Sequence, residues 1–200
     1  NKILNEARVR LYRTAYKILI MQIFSLASNR GDIFDWDQKP ALSYKGIIIP
    51  CASLYSLHGG FGDFVFQNIL RARYSLWFNH YQCGARLKTH ATADVQFMEL
   101  SIFLQNAAAY TLTGDLGRTR QKRGQFNIFN SCGMDCYVQI EKDAIYSTLD
   151  IHPKIELVES LYKKYPELLE PGLNAAITNR DYTYLKNPYN LTYPMIQLTE

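Results

Sequence analysis

The side chains that most readily build a reaction centre here are four histidines (His58, His80, His90 and His152), four cysteines (Cys51, Cys83, Cys132 and Cys136) and nearby carboxylates. Alternate residues of a strand point to the same side, so two histidines of one strand that share a metal would stand as His-x-His. No His-x-His pair is present. No cysteines form a C-x-x-C pair, and none stands at zinc-finger spacing from a histidine. His152 follows Asp150 closely, but a nucleophile–base pair needs a Ser or Cys alongside, and nothing local marks one. A hydrogen bond tying the last strand to the next helix is the expected use of His152. There is no G-x-S-x-G, Walker loop or dinucleotide fingerprint. Gly59-Gly60-Phe61-Gly62 precedes a strand, so it lacks the helix N-terminus that phosphate binding uses. The expectation is no catalytic residue, no metal and no cofactor.

Two charged features remain. Glu99 is the only carboxylate inside a strongly apolar strand. Inside a barrel it could bind a ligand amine or hydroxyl; otherwise it faces solvent or pairs with an Arg at the rim. Arg118, Arg120, Lys122 and Arg123 cluster within six residues. They lack interleaved aromatics for base stacking and read as a solvated strand face.

The elements that would position these residues are mainly strands. Ile47–Ile49 reads as a short buried strand stopped by Pro50, and 61–70 and 71–81 as two more. Residues 83–93 are polar and read as loop. Residues 95–105 form the longest strand, with Met98, Leu100, Ile102 and Leu104 on one face and Phe97, Glu99, Ser101 and Phe103 on the other. Apolar residues on both faces predict a wall buried on both sides. Residues 107–112, 119–129, 134–140 and 144–150 follow, with turn signals about every ten residues, as in an antiparallel barrel or sandwich. After Pro153 the period becomes helical, with Ile155, Val158, Leu161, Tyr162 and Tyr165 on one face. Pro166 ends or kinks that helix, Pro171-Gly172 reads as a turn, and 194–200 as an opening helix.

Residues 3–26 also have helical periodicity. Residues 1–30 carry six basic side chains against Glu6 alone, leaving the rest near neutral. This arm could pack on the body or a second subunit, touch nucleic acid or an anionic membrane, or precede a start at Met21. Two hundred residues with 48% hydrophobic and 20% charged content suit a soluble domain with a full core. The fifteen Tyr and ten Phe fill cores first and ligand sites second. No signal peptide or membrane-length apolar run is visible, so reduced thiols and a cytoplasmic location are expected.

The order of several short pieces resembles the N-terminal sensor domain of AraC-type transcriptional regulators, in particular the group common in Bacteroidetes. The pieces are 62–67 (GDFVFQ), 74–79 (YSLWFN), 99–104 (ELSIFL), 124–127 (GQFN), 147–152 (STLDIH) and 165–168 (YPEL). The resemblance spans about residues 47–200. It implies a mainly β fold with flanking α-helices, a cupin-like antiparallel β-barrel (double-stranded β-helix). With the basic helix and linker read from charge and periodicity at 1–30, a feature outside the family pattern, the chain divides into that arm, the barrel at 31–152 and a helical segment at 153–200. It implies a non-catalytic regulatory domain that binds a small-molecule effector, forms a homodimer, or both. DNA would be reached only through C-terminal helix-turn-helix units absent from these residues, and no membrane is involved. The alternative is a small cupin-type enzyme, an isomerase or a metal-dependent oxygenase. An effector would lie inside the barrel, with Trp77 as a flat wall, Phe64, Phe66 and Met98 as apolar lining, and Glu99 orienting polar groups. Met98 and Glu99 point to opposite faces, so both cannot line one cavity without a bulge. The more uniformly apolar Met98 face is expected to be the inner one.

Overall fold

Strand β7 (Phe97–Gln105) is buried on both sides, and each side meets a different layer. In the computed structural model, which describes residues 25–28, 36–93, 96–112, 117–178 and 180–197, it lies within a nine-stranded antiparallel sheet. That sheet runs β13 (Tyr182–Thr183), β10 (Gln125–Ser131), β7, β12 (Ile145–Pro153), β5 (Tyr74–Cys83), β4 (Gly62–Leu70), β3 (Ser53–Gly59) and β2 (Trp36–Asp37). Strand β14 (Tyr189–Asn190) also pairs with β10. A five-stranded antiparallel sheet runs β1 (Ser25–Ser28), β6 (Leu87–Ala93), β11 (Met134–Ile140), β8 (Ala107–Leu112) and β9 (Gly117–Lys122).

The chain alternates between the two sheets. Strands β5 and β7 lie in the large sheet and β6 between them in the small one; β10 and β12 repeat this with β11. The two passes interlock, because β12 inserts between β5 and β7. This is a double-stranded β-helix, the cupin-like barrel. Its core lies between the sheets and includes Leu57, Phe61, Phe64, Phe66, Leu87, Phe97, Phe103, Tyr110, Phe129, Ile140 and Tyr146.

A second layer covers the outer face of the large sheet. Helix α1 (Ile155–Lys164) carries Glu156 in its first turn and Lys163 and Lys164 in its last, which suits the helix dipole. Helix α2 (Pro166–Ile177) follows, and α3 (Tyr193–Gln197) is a short later turn. Val158 and Leu169 bury Met98 between them and the sheet, with Ile128, Leu161, Tyr162 and Leu173 around it. The helical period after Pro153 is therefore realised as expected.

Four local expectations need correction. Ile47–Ile49 is not a strand, and Ile47 is 66% exposed. Its backbone bonds to a side chain: Gln67 Nε2 donates to the Ile47 carbonyl (2.8 Å) and Ile49 N–H donates to Gln67 Oε1 (2.6 Å). Residues 87–93 are a strand despite their polarity, because one face of β6 meets the core through Leu87 and Thr89 while Lys88 faces water. The segment 119–129 is two strands, β9 and β10, which turn at Gly124 (φ +74°) and pass from the small sheet to the large one. Pro171-Gly172 lies inside α2, where the Tyr184 hydroxyl comes 2.0 Å from where a Cβ on Gly172 would stand. The glycine there serves a close approach, not a turn.

The predicted helix at 3–26 falls outside the described residues except at positions 25 and 26, which belong to β1. Among the described residues, no helix is long and apolar enough to cross a membrane.

Candidate functional site in the barrel interior

Strand register places the interior residues in rows. On β12, Tyr146, Thr148, Asp150 and His152 face inward; on β5 their partners Tyr81, Asn79 and Trp77 do the same. On β7 the inner row is Phe97, Glu99, Ser101 and Phe103, with Ser101 opposite Asp150. Near Cys83 the barrel is packed shut: Leu57, Phe61, Phe64, Cys83, Leu87, Ile140 and Tyr146 are each at most 4% exposed. Toward the other end Tyr55, Trp77, Met134, Cys136, Asp150 and His152 face the same interior but are only partly buried. Their partial exposure shows that water reaches this end of the barrel. The polar groups gather at that end.

Two carboxylates anchor the cluster. Glu99 Oε2 lies 3.0 Å from His152 Nε2, and the two side chains are 11% and 16% exposed. Asp150 Oδ1 accepts from Ser101 Oγ at 2.7 Å; its Oδ2 accepts from Asn79 Nδ2 at 2.5 Å and from Thr148 Oγ1 at 3.2 Å. Asn79 Nδ2 also donates to Thr148 Oγ1 at 3.1 Å, while the buried Asn79 Oδ1 has no hydrogen-bond partner among the described residues. Burial, then the neighbouring charge of Glu99, pushes the Asp150 pKa up to about 8 against the pull of Ser101, His152 and Thr148. Burial alone would lower the His152 pKa, but the Glu99 hydrogen bond and the charges of Glu99 and Asp150 hold it above its ordinary value. Burial and the charges of Asp150 and Glu99 raise Tyr81 well above the usual phenol range.

Aromatic rings flank these groups. Tyr55 stacks near Trp77 with centroids 6.2 Å apart, and Phe97 lies against His152 at 5.5 Å. On the opposite wall, Tyr110 Oη donates to Gln121 Oε1 at 3.0 Å and Asn127 Nδ2 reaches Tyr110 Oη at 3.4 Å. Burial pushes the Cys83 and Cys136 thiols up to about 12, the reverse of what a thiolate nucleophile needs. Among the described residues no three His, Cys, Asp or Glu side chains are grouped to hold a metal ion.

The five expected lining residues separate. Trp77 and Glu99 stand at the open end of the interior. Phe66 is buried against Tyr81, and Phe64 packs between Phe61 and Tyr81 in the closed end. Met98 is on the other side of the sheet, under the helices, so the inner face of β7 is the Glu99 face and the expectation for Met98 is reversed. The reason is the helix layer: it needs a continuous apolar surface, whereas the barrel interior tolerates Glu99 because His152 pairs with it. His152 bonds to the adjacent strand rather than joining strand to helix. Sequence reasoning missed Asp150, Asn79, Ser101 and Tyr81 as one cluster. Their alternation along β5, β7 and β12 was visible, but the strand order that joins them was not.

A second trio has catalytic-looking distances. Ser56 Oγ is 2.9 Å from His58 Nε2, and His58 Nδ1 is 3.2 Å from Asp63 Oδ1. Ser56 is fully buried on the outer face of β3, however, and its hydroxyl donates to the Lys39 carbonyl at 2.5 Å. No substrate can reach it there. With Ser43 donating to Asp63 (2.6 Å) and the Gln67 bonds to Ile47 and Ile49, the trio pins residues 39–49 across the sheet. Arg118, Arg120 and Lys122 lie exposed on β9, at the edge of the small sheet.

No protein-family model matches the chain, nor does any curated protein. Solved structures are similar at low identity. An AraC-like transcriptional activator, CuxR, is 11% identical with a TM-score of 0.39, over 65% of this chain and 53% of that one, so this chain spans about half of that activator's length. The cupin domain of Schizosaccharomyces pombe Cnp3 is 13% identical with a TM-score of 0.38, over 64% of this chain and 94% of that one. A cupin protein from Bacteroides fragilis is 16% identical with a TM-score of 0.35, over 57% and 86%.

Proposed function

We propose that the barrel is the effector-binding domain of a transcriptional regulator of AraC type, and that the effector is a small molecule held at the open end of the interior. The observation that carries this reading is the buried, water-reachable cluster of Glu99, His152, Asp150 and Asn79 beside Trp77, opposite a tightly packed closed end. The order of sequence pieces shared with AraC-type sensor domains supports the regulatory assignment. Burial holds Cys83 and Cys136 protonated, so neither serves as a thiolate nucleophile in this reading. Homodimerisation belongs to the same reading: Tyr165 and Leu168, at the junction of α1 and α2, are 49% and 60% exposed. DNA contact would belong to helix-turn-helix units outside these residues.

A thermal-shift screen with sugars, aromatic acids, amines and other metabolites tests the proposal. An effector should raise the melting temperature, by an amount equivalent to ~2.7 kcal/mol at a hundredfold excess over its dissociation constant. Glu99→Gln and Trp77→Ala should abolish that rise. Stabilisation indifferent to both substitutions would place the site elsewhere.

A second reading rests on Asp150. A carboxyl with a pKa near 8 beside a Glu–His pair could serve general acid–base catalysis, as in an isomerase. Incubating the identified ligand with the protein in D2O separates the two. A bound effector is recovered unchanged, whereas an isomerase substrate returns rearranged or deuterated at carbon.

A further inference from the structure

Taking the interior as a ligand site, we propose that its ligand is an organic cation, whose ammonium or guanidinium group seats between Glu99 and Asp150 while its apolar body lies against Trp77. The charge of the lining comes first. Among the described residues the inner faces carry Glu99, Asp150 and His152 but no Lys or Arg. Lys88 reaches over the Tyr137 ring outside, at 4.7 Å, and Arg118, Arg120 and Lys122 are exposed on β9. His152 offsets one carboxylate through its bond to Glu99. Asp150 has only neutral donors: Ser101, Thr148 and Asn79.

The hydrogen-bond inventory points the same way. Asn79 is 6% exposed, its nitrogen is engaged by Asp150 and Thr148, and its carbonyl oxygen has no partner among the described residues. Among the described residues Glu99 is bonded through Oε2 alone, and Asp150 Oδ1 accepts a single bond. The cluster therefore presents acceptors, and the group that satisfies them brings several N–H donors. A hydroxyl brings one donor and no charge, and a carboxylate would add to the repulsion already present between Glu99 and Asp150. The π faces of Trp77 and Tyr55 suit a cation and its hydrocarbon body equally.

Proton linkage follows. A cation beside Asp150 favours its ionised form, so binding expels a proton and affinity rises as pH climbs toward 8. The titratable groups around Asp150 are Glu99 on β7, His152 on its own strand, Tyr81 on β5, Tyr110 on β8 and Cys136 on β11. The last three stay protonated in this range, since burial raises all of them.

The experiment is isothermal titration calorimetry of the whole chain with benzylammonium, benzyl alcohol and benzoate, from pH 6 to 8.5, in two buffers of different ionisation enthalpy. Benzylammonium should bind at least about tenfold more tightly than the other two, a difference one charge-assisted contact supplies. Its affinity should rise with pH, with proton release. Asp150→Asn should reduce the release, leaving only what His152 contributes, and Glu99→Gln should weaken binding with the far-UV spectrum unchanged. Equal or tighter binding of the alcohol or benzoate overturns the cationic assignment and leaves the effector-site reading standing. Binding of none of the three overturns both.

Discussion

Glu99 Oε2 and His152 Nε2 meet at 3.0 Å on the inner face of the barrel, from adjacent strands, with Asp150 two residues before His152 and facing the same way. The pair brings opposite charges together beside a third group that is neutral when protonated. Folding thus changes the proton affinity of two residues in the same sense, since the pKa values of both His152 and Asp150 are raised.

Stability should therefore fall as pH rises. A group whose pKa is raised on folding stabilises fully below its unfolded value and loses that contribution as pH climbs through its folded value. For Asp150 the window runs from the ordinary carboxylate range to about 8, and His152 adds loss above the ordinary histidine range. Urea midpoints at pH 5, 7 and 8.5 should decrease in that order. A rising midpoint would show that Asp150 is ionised throughout.

Asp150→Asn should remove most of that slope. An amide cannot ionise, and rotation of Asn79 would turn its unpartnered oxygen toward the new N–H2 group. The gain in stability should be clearly larger at pH 8 than at pH 5, since only part of the Asp150 contribution has been lost at the lower pH. Paired denaturation curves at the two pH values decide it.

Met98→Ala should destabilise by roughly 2–4 kcal/mol, because it opens a cavity among Val158, Leu169 and the sheet. Ligand affinity should not change, since Met98 lies outside the barrel. A variant that lost binding while keeping its melting temperature would contradict that placement.

Gly62→Ala should cost at least ~2 kcal/mol. Gly62 has φ +124°, and a Cβ there would stand 2.0 Å from the Gln82 carbonyl oxygen on the paired strand. Gly60→Ala is the control, since nothing lies within 4 Å of its Cβ position. Comparable melting temperatures for the two would refute the argument.

Thiol labelling should be graded. Cys51 is exposed and should react with a disulfide reagent at once; Cys83 is buried, its pKa pushed up to about 12, and should react only on unfolding. Prompt modification of Cys83 in the native state would mean that the closed end of the barrel opens readily.

Much of the fold was legible because strand alternation and turn residues are local signals. The 134–140 strand, the double-sided burial of β7 and the helix after Pro153 all followed from side-chain period alone. Ile47–Ile49 misled because a β-branched run reads as a strand whether or not a neighbour supplies partners, and here Gln67 takes that part. Residues 87–93 misled because a strand with one wet face need not look apolar. Gly172 misled because its close neighbour Tyr184 arrives from a later segment.

The site divides along the same line. The sequence by itself placed Glu99 and Met98 on opposite faces of one strand, since that follows from a period of two. It could not say which face was inside, because both are apolar enough to bury and the choice depends on what covers them. Tertiary structure made that choice by laying α1 and α2 over Met98 and by inserting β12 between β5 and β7. That insertion brings Asp150 and His152 alongside Glu99 and Asn79, residues about fifty to seventy positions away. A shared, low-dielectric environment created by this strand order shifts their proton affinities, and no local pattern encodes it.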